Sequence, residues 1–198
     1  MEFTGIGRLL QVPEASIEQL ITPPTRPLIT ASALDRYLTE LEGTLPNWEA
    51  LHDRPEDEHG TRIFQFNRTR DGVRNGHPLL QQHIAFLWSG LLRQYDEHHQ
   101  GFRIAVGPIL THTAWGIVRF KPVNIPPETI AIPSSKLLEE LRVRVSHDEE
   151  IEVIIVYTGF LISQESVMYA FSHDNPDLGM ILPFVHIDGV HYIVKDSP

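Results

Sequence analysis

HPLLQQHIAFLWSGLLRQYDEHHQG, residues 77–101, is the longest segment of the chain whose apolar side chains keep a single helical period. At a turn of about 100° per residue, Leu80, Ile84, Leu87, Trp88, Leu91 and Tyr95 fall on one stripe. Gln82, Ser89, Arg93, Asp96 and Gln100 fall opposite it. Pro78 suits the first helical position and Gly101 a left-handed stop, so the spacing predicts a long central helix. Gly90, at the edge of the stripe, lowers helix propensity by about 1 kcal/mol relative to alanine and implies close approach of a neighbouring element. A rise of about 1.5 Å per residue would set His83 and His98 over about 20 Å apart, which excludes them as ligands of one ion. His98 and His99 are read as partners of the negative helix end.

Upstream of this helix the reading gives a short strand over 5–12 and a short helix from Pro13 bearing Ile17, Leu20 and Ile21, stopped by TPPTRP at 22–27. A second helix is expected from a Ser32 cap to Gly43, and a further turn from Pro46 burying Trp48 and Leu51. Residues 53–60 read as an exposed loop and 61–66 as a strand. Downstream, 102–106, 113–120 and 152–163 are rich in β-branched and aromatic residues, with one helix through Leu137, Leu138 and Leu141 between them. The apolar run IEVIIVYTGFLIS is placed centrally in a sheet. The fold expected is therefore α+β: a helical N-terminal half whose long central helix packs on a mostly antiparallel sheet from the C-terminal half, in one domain over 1–198.

Composition narrows the function classes. A formal charge of −10 opposes broad attraction to nucleic acid or to an anionic membrane surface. The chain has no cysteine, which removes disulfides, thiolate metal sites and cysteine nucleophiles. No stretch has the length and apolar character of a membrane helix or the pattern of a secretory signal, and the expected setting is soluble and cytoplasmic.

Two sets of residues are candidate sites. In NRTRDGVRNGH, residues 67–77, Arg68, Arg70 and Arg74 stand ahead of the predicted helix among glycines that permit tight turns. Guanidinium groups at a helix N-terminus suit a small anion or an acidic partner. The second set comes from Asp188-Gly189, which between two apolar runs predicts a two-residue hairpin that brings His186 opposite His191. Such a pair would supply two nitrogen ligands to a divalent metal ion, with His173 or Asp174 adding others.

No Gly-x-Ser-x-Gly elbow, His-Glu-x-x-His or phosphate-binding loop is present, which leaves catalysis itself open. The leading reading is a non-catalytic binding or regulatory protein that recognises a small anion or acidic partner through the arginine segment. The alternative is a metal-assisted hydrolase built on His186 and His191.

Overall fold

The decisive stretch is extended. The computed structural model describes residues 6–12, 19, 21–52, 56–126, 128–173, 175 and 178–195. Within 77–101 the helical part is Pro78–Gln81, a 3-10 segment; β3 (Ile84–Asp96) follows, then a turn, and β4 (Gly101–Pro108) begins at the expected helix stop. The run IAFLWSGLL is apolar at nearly every position, so it satisfies a helical and a strand period alike. Phe86 separates the two. It falls on the wet side of the helical projection, whereas in the protein it is wholly buried and stacked on Phe120 with ring centroids 4.3 Å apart. Gly90 faces inward, where an added Cβ would stand 2.9 Å from Val153 Cγ2 and 3.0 Å from Ile104 Cδ1. The close approach inferred for Gly90 is real, and strands make it.

β3 pairs antiparallel with β9 (Ile151–Leu161) on one side and with β4 on the other. The order β1 (Ile6–Gln11), β8 (Glu128–Ile132), β4, β3, β9, β11 (Gly179–Val194) closes on itself through Leu10↔His191, giving a six-stranded barrel. Leu9, Phe102, Ala131, Ile155, Val185 and Tyr192 belong to the buried cluster it encloses. A barrel of so few strands is filled by its own side chains, which puts any site on its outside.

The first half of β11 continues past the barrel into a second sheet with β10 (Val167–Phe171), β6 (Gly116–Val118) and β5 (Thr111–Thr113). β2 (Arg26–Pro27) adds to β3 and β7 (Lys121–Val123) adds to β11. Four helices are described. α1 (Ala31–Glu42), α2 (Trp48–His52) and α3 (Glu56–Arg74) gather at the second sheet, and α4 (Leu138–Ser146) lies against β3. α1 starts on the Thr30 hydroxyl, which accepts from the Ala33 amide at 3.2 Å, rather than on Ser32.

The expected α+β arrangement, with its helical N-terminal half and long central helix on a sheet, is thus corrected to a mostly β chain around a closed barrel. Further expectations change with it. Residues 56–66 lie inside α3, so 61–66 are not a strand and 56–60 of the expected loop are helical. Asp188-Gly189 makes no hairpin: β11 runs straight through, with Ile187 opposite Gly159 and Gly189 opposite Thr158, so Asp188 is the extra residue of a β-bulge. The short helix expected from Pro13 lies largely outside the described residues.

Candidate functional site

The predicted arginine set does not converge on a ligand. Arg74 is fully buried: its Nε donates to the Gln164 carbonyl at 2.7 Å, Nη1 to Glu42 Oε1 at 2.5 Å, and Nη2 to Asp71 Oδ1 at 2.7 Å and the Val167 carbonyl at 2.9 Å. Arg70 donates to the carbonyls of Glu42 at 2.9 Å and Thr44 at 2.7 Å, with its guanidinium 4.9 Å from the centre of the Phe66 ring. Burial pushes the Glu42 carboxyl above its ordinary range, and the Arg74 guanidinium opposes that shift. Arg68 alone is exposed, and it pairs with Glu165 at 3.1 Å. These arginines bind the ends of α1 and α3 to β10, and Arg70 and Arg74 offer no face to a ligand.

The predicted metal set is also dispersed. His186 and His191 lie on one strand, and at about 3.3 Å per residue they are on the order of 15 Å apart. His186 stands opposite Phe160 and stacks on its ring at 5.5 Å; His191 stands opposite Val156. Burial holds the His191 imidazole below its usual pKa. His173 follows β10, whose end registers with Gly179 at the far end of β11 from His191. Asp174 lies outside the described residues, and among the described residues no cluster of three or more His, Asp or Glu has metal-binding geometry.

A different place has the dimensions of a ligand site. Between the end of β3 and α4 runs a groove of about 690 Å³, within the size range of small-molecule sites. Its making can be followed from the strand. Leu92 pairs with Ile104 and Tyr95 with Phe102, so β3 carries one residue more than β4 across this interval. The bulge puts Arg93 and Gln94 out into solvent, as bulges beside sites re-aim side chains.

Tyr95 forms part of the wall, with the Arg142 guanidinium of α4 4.6 Å from its ring centre. Arg142 is engaged by Glu97 at 2.8 Å and Glu139 at 3.4 Å. Arg93 has no ion pair among the described residues. Asp148 and Glu150, on the same rim, also carry carboxylates without a cationic partner there. The groove therefore offers one available guanidinium, an aromatic wall and two available carboxylates.

In the sequence Arg93 appears only as part of a wet helical face. The polar Arg93-Gln94 pair interrupting an apolar run was the one signal of the bulge. Together, fold and groove define a closed six-stranded barrel with a helix-flanked site on its outer surface. Comparison with protein families, curated proteins and solved structures gives no match.

Proposed function

We propose that the chain is a binding protein and that its ligand enters the groove between β3 and α4. The observation that carries this reading is Arg93: a guanidinium set out by a bulge, beside an aromatic wall, with no carboxylate paired to it among the described residues. Recognition of a small anion thus moves from the buried arginines of α3 to the end of β3. Asp148 and Glu150 repel a polyanion at the same rim, so the ligand class is a monocarboxylate that also carries an amine, such as a free amino acid or a short peptide.

The test is an NMR titration of the full chain with free amino acids and dipeptides. Shifts should concentrate at Arg93, Tyr95 and Ser146. Replacing Arg93 by alanine should weaken binding by about tenfold, the loss of roughly one charge-assisted hydrogen bond. Added salt should weaken the wild-type interaction, because the groove is open to ions. Unchanged affinity in Arg93→Ala would remove the proposal.

A further inference from the structure

On the outer wall of the barrel, away from the groove, side chains from four segments meet where β3, β9 and β11 run side by side. The carboxylate of Asp188, at the β11 bulge, accepts from Thr158 Oγ1 at 3.0 Å and lies 3.0 Å from His83 Nε2 through either oxygen. On the other side of the ring, His83 Nδ1 is 2.7 Å from Thr25 Oγ1.

The proton positions follow from chemistry. An ionised carboxylate only accepts, so Nε2 carries a hydrogen; in the neutral ring Nδ1 is then an acceptor, and the Thr25 hydroxyl directs its proton to it. The result is a hydroxyl–imidazole–carboxylate relay that uses the two ring nitrogens in the opposite order from the serine protease triad. The side chains of His83 and Asp188 keep 31% and 44% of their surface exposed, so a small molecule reaches them. Extending the β3–β9 register one step from Ile84↔Gly159 sets His83 opposite Phe160, which stacks on His186 and makes an aromatic shelf beside the relay.

We infer that Thr25 is a nucleophile toward small activated esters. Thr25 Oγ1 attacks the ester carbonyl carbon while its proton passes to His83 Nδ1, and Asp188 stabilises the imidazolium that forms. The carbonyl re-forms as the bond to the leaving oxygen breaks, the leaving group departs as its anion, His83 gives its proton to water, and an acyl-Thr25 ester remains. Water then repeats the sequence, releasing the acid and restoring the threonine. The relay stands on an open wall and not in a water-excluding cleft, so the leaving group must depart with little assistance. That selects esters of acidic alcohols, with the aryl group resting against Phe160.

The experiment uses p-nitrophenyl acetate and the full chain. Wild type should release a burst of p-nitrophenolate close to one equivalent, and peptide mapping after acid quench should place the acetyl group on Thr25. Thr25→Val should abolish the burst and Thr25→Ser should retain it. His83→Gln should slow it by about a hundredfold or more, the usual contribution of a general base. An acetyl group found only on lysine or histidine side chains would overturn the inference, as would a burst that survives in Thr25→Val. Should the valine variant not fold, the site of acetylation in wild type decides between the same two results.

Discussion

Arg74 has no exposed surface and Phe64, ten residues before it on the same helix, has 64%. This inversion is electrostatic in origin. The Arg74 guanidinium is held by two carboxylates and two carbonyls, so its charge is compensated inside, whereas Phe64 faces away from the sheet. Removing one member of such a pair strands the other. Arg74→Leu should cost about 3–5 kcal/mol in denaturant unfolding, and Glu42→Leu added to it should recover part of that loss, because the fully buried carboxylate is then gone while Asp71 keeps Arg68 as a partner.

The reverse situation holds at His191, whose Nδ1 is buried without a hydrogen-bond partner among the described residues. Its pKa is lowered by burial, so the unfolded chain takes up the proton first as pH falls from about 6.5. Stability from this residue is therefore present above that pH and lost below it. An NMR titration of the ring protons should place its midpoint below that of an exposed histidine, and His191→Gln should lessen the acid sensitivity.

At the level of single elements, the outcome depended on how each one buries its face. α1 and α2 stand close to where helical spacing sets them, because Leu34, Tyr37, Leu38 and Leu41 mark the buried side of α1 directly. α3 was illegible because its inward face reads Ile63, Phe66, Asn67, Arg70 and Arg74, a helical period written largely in polar residues. β3 fits a helical period for the opposite reason: it is apolar on both faces, and only the burial of Phe86 distinguishes strand from helix. The Asp188-Gly189 pair has the composition of a tight turn, but Asp188 serves its side chain, which bonds Thr158 and His83. The groove was hidden because a bulge is a property of two paired strands and neither strand alone announces it.

One element interaction deserves a direct test. Asn67 of α3 donates to the Tyr169 carbonyl at 2.8 Å and accepts from the Tyr169 amide at 2.7 Å, standing in for a neighbouring strand along β10. Asn67→Ala should leave both backbone groups without partners, at about 1–3 kcal/mol. Hydrogen exchange at the Tyr169 amide should accelerate while amides in β9 stay protected. Equal acceleration in both strands would show that β10 opens only with the whole barrel.

Across the molecule, burial governs the tyrosines. It raises the pKa of Tyr37, Tyr157, Tyr169 and Tyr192, that of Tyr157 to about 12. The folded chain thus holds protons that the unfolded chain releases near pH 10, and stability falls as pH climbs above that value. In a spectrophotometric titration these four rings should ionise together, in one cooperative alkaline unfolding. Ionisation of all four near pH 10 with the circular dichroism unchanged would contradict their burial.

β11 touches β1, β6, β7, β9 and β10. Leu10 waits for His191 before the ring of strands can close, so on the ribosome every other strand of the ring must emerge while β1 still lacks that partner. Until then β9 exposes the edge that β11 will occupy, an open template for other chains. A chain cut short before β11 would keep that edge of β9 uncovered.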